Sequence, residues 1–379
     1  MKKAFSLTLV LGLAFNLLAQ NYQVKQSDYS QVRISFSTPE VNVTGVNILG
    51  NSFTELSLDG FSSQTAVGMP ALPTLVKNIE VPLGEGLTYT IESMRCDTIA
   101  GSVYGLKSAI VPAQPSRSKS DTSRATLKID NAAYSKDAFC GAPTIELEAI
   151  GVARNRNLAT IKFNPISWNP VTNQLIVVKS LTVSVKQKNA DIAATRKMQQ
   201  LYASPAFNSS TGVINSIGSK DNYTNAPLRY TIVAHSQFRG ALDEFANWKR
   251  RQGFLVDLVY TDEANVGSTT TSIKNYLQGL YNNASAEAPA PTYVLFVGDV
   301  AQVPAFVMTA YGESQHSDLG YCCWTGNDYL PDCYYRRFSA QNLTQLNPQI
   351  SKTLMYEQYT FPNPSYLSTA ALIAGVDGG

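Results

Sequence analysis

From about Asn21 to Lys186, apolar residues fall at every second position between short polar breaks: Val32, Ile34 and Phe36; Leu56 and Leu58; Ile145, Leu147 and Ala149; Val183 and Val185. Successive side chains of a strand point to opposite faces, so this alternation predicts half-buried strands, whereas a helix would repeat its apolar face every 3.6 residues. Turn-forming groups such as Gly68-Met69-Pro70, Pro82-Leu83-Gly84 and Trp168-Asn169-Pro170 interrupt the runs at short spacing, which suits antiparallel sheets packed as a sandwich. An all-β sandwich is therefore expected over residues 20–202. Within it, Pro115 to Arg124 is a run of Ser, Arg, Lys and Asp without apolar periodicity. It is expected to be an exposed, mobile loop of the kind that proteases cut.

Residues 203–226 are rich in Ser, Asn, Thr and Gly and read as a linker. The period changes after Pro227. A strand at Tyr230 to Ala234 precedes a helix expected to be capped near Ser236, with Phe238, Leu242, Phe245 and Trp248 on one face. A strand at Leu255 to Tyr260 follows, then a helix carrying Ile273, Tyr276, Leu277 and Leu280, then the continuous apolar run Tyr293 to Val297. Such runs are buried on both faces of a parallel sheet, so residues 227–379 are expected to form an α/β domain. Leu343 to Tyr359 fits one more helix, and Thr369 to Val376 is expected to be a further buried strand. That strand would need a following helix to cover it, so the domain is expected to continue beyond Gly379.

At the amino terminus, Lys2 and Lys3 precede the largely apolar stretch Leu7 to Leu18 and the small residue Ala19. This is the order of a cleavable export signal over residues 1–19. The stretch is shorter than the roughly 20 apolar residues of a spanning helix. A secreted or cell-surface protein without a transmembrane segment is expected. Thirty basic against 28 acidic residues leave a net charge of +2, too small to attract a phosphate backbone, so nucleic acid is not expected as a partner. The five cysteines, Cys96, Cys140, Cys322, Cys323 and Cys333, are an odd number without CxxC spacing. Neither a disulfide scaffold nor a zinc site is expected, and Cys322 and Cys323 are read as packed residues, or one of them as bonded to Cys333.

In a parallel α/β sheet ligands bind outside the carboxyl ends of the strands. Asp299 follows the run ending at Gly298, and Asp377 follows the run ending at Val376. Each can be a functional carboxylate or a helix cap and loop anchor. A cysteine nucleophile needs a nearby histidine to draw it into the thiolate form. Only His235 and His316 are present, and a local pair of His316 with Cys322 or Cys323 is the weaker reading beside packing. No GxSxG elbow, HExxH helix or phosphate-cradling glycine loop occurs, so serine hydrolase, zincin and nucleotide-binding readings lack their defining residues.

Several stretches resemble the gingipain family of secreted cysteine peptidases. In the β half these are Gly68-Met69-Pro70-Ala71-Leu72-Pro73, Ile79-Glu80-Val81-Pro82-Leu83-Gly84, Asn164-Pro165, Asn169-Pro170 and Leu175 to Val185. In the second half they are Tyr293-Val294-Leu295-Phe296-Val297-Gly298-Asp299, Ser317-Asp318, Gly326-Asn327-Asp328-Tyr329 and Arg337-Phe338-Ser339. One departure is Arg336, where the family commonly has glycine, so the local turn is expected to differ.

The resemblance implies a β-sandwich propeptide followed by a caspase-like α/β catalytic domain, of which this chain holds the first subdomain and the opening strand of the second. It implies a cysteine endopeptidase acting on protein and peptide substrates, with its own propeptide as intramolecular inhibitor. On the same resemblance Asp377 would be the acidic partner of a histidine that, like the nucleophilic cysteine, lies beyond Gly379, leaving this stretch inactive alone. Arg117, Lys119 and Arg124 become the residues that plug the cleft or are cut on activation. No cofactor is implied for catalysis, but structural calcium is, with Asp299, Asp318 and Asp328 as its oxygen donors. A gingipain-like sortase and a catalytically dead secreted adhesin are the alternatives.

Overall fold

The computed structural model describes residues 21–63, 65–117, 123, 126–208, 212–218, 227–310 and 313–372. Its β half contains two antiparallel sheets. In the first, Val32–Ser37 lies between Tyr22–Ser27 and the long strand Gln174–Gln187, which also pairs with Ile166–Asn169 and with Leu87–Ala100. The second runs in the order Ser62–Ser63, Pro73–Val81, Arg156–Phe163, Ile145–Ala153. The alternation read from the sequence decides what meets between them. Val32, Ile34, Phe36, Leu181, Val183 and Val185 face Leu75, Ile79, Ile161 and Phe163 across one core, with Phe36 stacked on Phe163 at 5.0 Å. A second cluster gathers Leu56, Leu58, Ile110 and Leu175 around the buried Trp168.

The segment expected to be a linker is partly built into this half. Ile217 is buried in the sandwich core, Val213 bridges to Asn78, and Asn215 bonds the backbone N–H and carbonyl of Glu80 at 2.8 and 2.9 Å. Residues 212–218 of this segment are thus paired with the sandwich. Glu80 itself is 2% exposed. Burial pushes its carboxyl above the ordinary value, against the pull of Arg156 and of hydrogen bonds from Gln199 and the Ile217 backbone. The folded state therefore holds an extra proton between the ordinary value, about 4.3, and the raised one. Its contribution is complete below that window and is lost as pH rises through it. Glu80→Gln stays neutral, so its melting temperature relative to the parent is expected to climb as pH increases from 4. A difference that is flat or falls with pH contradicts this.

In the second half four strands are parallel, in the order Leu255–Tyr260, Arg229–Ala234, Pro291–Val297, Tyr334–Phe338. Pro291–Val297 is covered on both faces, which is why the run from Tyr293 to Val297 is apolar. Leu295 and Val297 pack with Phe245, Leu346, Ile350 and Leu354 from helices Asp243–Arg251 and Leu343–Gln358, while Val294 and Phe296 pack with Ile273, Leu277 and Tyr281 from helix Thr270–Asn282.

Three expectations change here. The helix expected from Ser236 is split into a 3₁₀ turn at Ser236–Phe238 and a helix at Asp243–Arg251. Gly240, at φ 84°, lies in the left-handed region between them, where helix cannot continue. Phe238, Leu242 and Phe245 are still buried as expected. Secondly, Thr369 to Leu372 is not a strand, and Leu372 is 98% exposed. No described residue pairs with the outer edge of Tyr334–Phe338, and an apolar strand has no gain without cover on its faces; residues 373–376 lie outside the described part. Thirdly, Arg336 sits mid-strand with its side chain exposed, so the expected difference in a local turn does not arise. All five cysteines are unpaired, with Cys322 and Cys333 buried, so packing and not a bond to Cys333 is the reading that holds.

Candidate functional site

The parallel strands end at a common carboxyl edge, where Gln237, Asp299, Ser339 and Gln341 form a polar rim. Gly298 makes the sharp departure from its strand at φ 136°; a Cβ there would come within 2.8 Å of the Gln302 side chain. Asp299 is thereby brought beside Ser339 and Gln341, which follow Tyr334–Phe338. Its Oδ1 accepts from the Ser339 hydroxyl at 3.0 Å and from the Val300 N–H at 2.9 Å, and its Oδ2 accepts from the Gln341 amide at 2.9 Å. The Gln341 hydrogen bond, then the Val300 N–H and the Ser339 hydroxyl, hold this carboxyl below the usual carboxylate range. Across the rim Gln237, three residues past the strand ending at Ala234, donates to the Gln341 carbonyl at 3.0 Å.

Beneath the rim lies Arg337. Its guanidinium grips Asp318 with both edges, Nε to Oδ2 at 2.9 Å and Nη2 to Oδ1 at 2.6 Å, and Nη1 donates to the carbonyls of Gly298 at 2.8 Å and Val303 at 2.7 Å. A planar fork of donors is what two carboxylate oxygens and two loop carbonyls require together. Three stretches that are scattered in the sequence, Gly298-Asp299, Ser317-Asp318 and Arg337-Phe338-Ser339, therefore form one network that fixes the loop after the third parallel strand.

The remaining expected site residues are not gathered here. Asp328 accepts from the backbone N–H groups of Val152 and Leu330, both at 2.8 Å, and so faces the β half. Asp299, Asp318 and Asp328 are each committed to different partners. Among the described residues no group of three or more His, Cys, Asp or Glu is placed to hold a metal ion, so the three do not converge on one calcium site. His235 accepts from the Gln237 N–H at 3.3 Å, His316 is exposed on an edge strand, and Cys322 is fully buried. Burial pushes the Cys322 thiol well up and the Cys323 thiol to about 11, the reverse of what a nucleophile needs. The local His–Cys pair is not formed. Arg117 is exposed and donates to the Ser123 carbonyl and hydroxyl at 2.5 and 3.1 Å. The base of its loop is closed by Gln114, whose side chain pairs with the Lys128 backbone at 2.8 and 3.0 Å. Lys119, Arg124 and Asp377 lie outside the described residues.

Residues 19–209 match the family described as Propeptide_C25, and residues 223–379 match Peptidase family C25. The chain belongs to the gingipain family of peptidases. It carries the propeptide of that family and part of its peptidase unit. A Lys-gingipain of Porphyromonas gingivalis is 33% identical over the whole chain, and Gingipain R2 of the same organism is 22% identical over 99% of it. The chain spans 22% of the length of that Lys-gingipain and 50% of that of the Gingipain R2. A solved structure described as structural insight into zymogenic latency of gingipain K from Porphyromonas gingivalis is 29% identical, covers 45% of this chain and 93% of its own, and has a TM-score of 0.42. Among the residues of this gingipain-family chain, sequence reading missed Arg154, Gln341 and Asp332. Arg154 sits between alternating strands like any exposed hairpin residue, and nothing in its neighbours signals that it is buried.

Proposed function

We propose that this chain is the N-terminal part of a secreted cysteine endopeptidase zymogen, in which the β half is the inhibitory and folding-assisting propeptide and the α/β half begins the catalytic unit. The observation that carries this reading is the succession, on one chain, of a family propeptide and a family peptidase segment. In support, neither histidine faces a thiol among the described residues, which fits a nucleophilic cysteine and its histidine lying further along the polypeptide. There the thiolate would attack the peptide carbonyl, the histidine would protonate the departing amine, and water would hydrolyse the thioester. Asp377 is assigned to orient that histidine. The residues named here position the rim and do not react.

Inhibition is assigned to the loop from Pro115 to Arg124, whose basic residues would enter a pocket for Lys or Arg side chains. The test is Arg117→Ala, Lys119→Ala and Arg124→Ala together in the full-length precursor. At least tenfold more peptidase activity is expected before any cleavage of the propeptide, measured on peptides ending in Lys or Arg. Unchanged latency would remove the loop from the mechanism.

A further inference from the structure

Ile145–Ala153 and Arg156–Phe163 are joined with only Arg154 and Asn155 between the paired residues Ala153 and Arg156. Arg154 has φ 57°, a left-handed conformation that favours glycine at the first position of a two-residue loop and that a bulky residue keeps only when its surroundings hold it. The α/β half supplies most of what holds it, and the Tyr202 carbonyl, from the segment that follows the sandwich, supplies the rest. Arg154 is 1% exposed, and all five N–H groups of its guanidinium have acceptors. Nε donates to the Tyr202 carbonyl at 2.7 Å, Nη1 to the carbonyls of Pro291 and Asp332 at 2.6 and 3.0 Å, and Nη2 to the Ala290 carbonyl at 3.0 Å and the Thr292 hydroxyl at 3.4 Å. This is the full donor complement of an arginine, and a lysine has only three donors without the planar fork.

The contact runs in both directions. The Tyr281 hydroxyl donates to the Arg154 carbonyl at 2.8 Å, and the buried Asp332 carboxylate accepts from the Arg154 N–H at 2.6 Å. Asp332 also accepts from Thr325, through the hydroxyl at 2.7 Å and the N–H at 2.9 Å. Next to the tip, Gly151 has φ 143° and a Cβ there would lie 2.2 Å from Asp328 Oδ2, so the strand approaches the 326–328 loop as closely as a glycine allows. Ala153 and Leu158 pack with Phe207, Leu330 and Tyr334 around the same place.

We propose that this hairpin tip is a latch, the surface by which the β half stays bound to the α/β half, with Arg154 as its anchor in a socket at the amino edge of the parallel sheet. The inference rests on reading the β half as a propeptide. The socket opens at Pro291, the first residue of its strand, whereas the Asp299 rim lies past the last; seven residues of strand separate them by about 20 Å. Retention is thereby placed at the edge of the sheet away from the Asp299 rim. Cutting the chain between the halves leaves them together, and removing the anchor separates them.

The test uses the intact chain with a site-specific protease sequence inserted between Gly218 and Pro227, cut after folding, and reads the association of the halves by size-exclusion chromatography and titration. Arg154→Gly is the main variant, because glycine suits the left-handed turn and removes only the anchor. The parent halves are expected to co-elute at micromolar concentration. Arg154→Gly is expected to raise Kd about 100-fold, with Arg154→Lys between. Parent halves that separate on cutting, or an Arg154→Gly complex within threefold of the parent Kd, would overturn the latch. Should Arg154→Gly not fold, Asp328→Ala reads the same surface from the other half; weakened association supports the latch, and unchanged association overturns it. Association is measured without peptidase activity, while latency of the full-length precursor measures the propeptide assignment, so each can fail without the other.

Discussion

Replacing Asp377 by alanine in the full-length enzyme is expected to lower kcat by about 100-fold or more while KM changes little. A carboxylate that orients a catalytic imidazole does its work after substrate is bound: it fixes the tautomer and stabilises the imidazolium that forms in the transition state. The assignment follows from the position of Asp377 at the end of an apolar run in the peptidase segment, directly before Gly378-Gly379, and from the resemblance to the family's acidic partner. Steady-state kinetics on a Lys or Arg peptide, with thermal unfolding as a control for folding, separate this role from a helix cap. A cap would shift the melting temperature and spare kcat. Activity within twofold of the parent enzyme would return Asp377 to a structural part.

Arg337→Ala is expected to destabilise the α/β half by about 3 kcal/mol, and Arg337→Lys by rather less. The guanidinium is 12% exposed and its partner Asp318 13%, so solvent screens the pair weakly and truncation leaves a buried carboxylate unpaired. The Gly298 and Val303 carbonyls lose their donor in the same step, and the loop that sets the rim loses its staple. Lysine keeps a charge beside Asp318 but cannot serve two carboxylate oxygens and two carbonyls at once. Urea unfolding of the two variants checks the order. Equal stability of Arg337→Ala and the parent protein would mean that the network is ornamental to the fold.

The alternation of Ile34 with Phe36, and of Val183 with Val185, was enough to place the sandwich because residues two apart share a face of a strand, so an alternating run marks one buried face. The run from Tyr293 to Val297 likewise announced a strand covered on both sides. What the sequence left open depends on contacts between residues far apart. Gly240 could interrupt a helix or sit harmlessly on its surface, and the outcome rests on how Phe238 and Phe245 are accommodated by the sheet. Residues 212–218 have the composition of a tether, yet they complete the sandwich because Asn78 pairs with Val213 and Glu80 with Asn215, while Ile217 enters the core. The rim was legible in part, since Asp299, Asp318 and Arg337 stood in stretches already singled out, but their union through one guanidinium was not. Arg154 was invisible for the converse reason. Four of the five acceptors of its guanidinium are backbone carbonyls, which any sequence supplies.

On the function proposed above, this chain leads into a cysteine peptidase held latent by its own β half. The most direct measurement is labelling of the full-length protein with a thiol-directed covalent inhibitor, before and after propeptide cleavage, alongside hydrolysis of Lys and Arg peptides. One cysteine that reacts only after cleavage, with hydrolysis abolished in proportion to labelling, is the predicted result. A full-length protein that hydrolyses neither peptide, or does so undiminished when its thiols are blocked, would contradict the account.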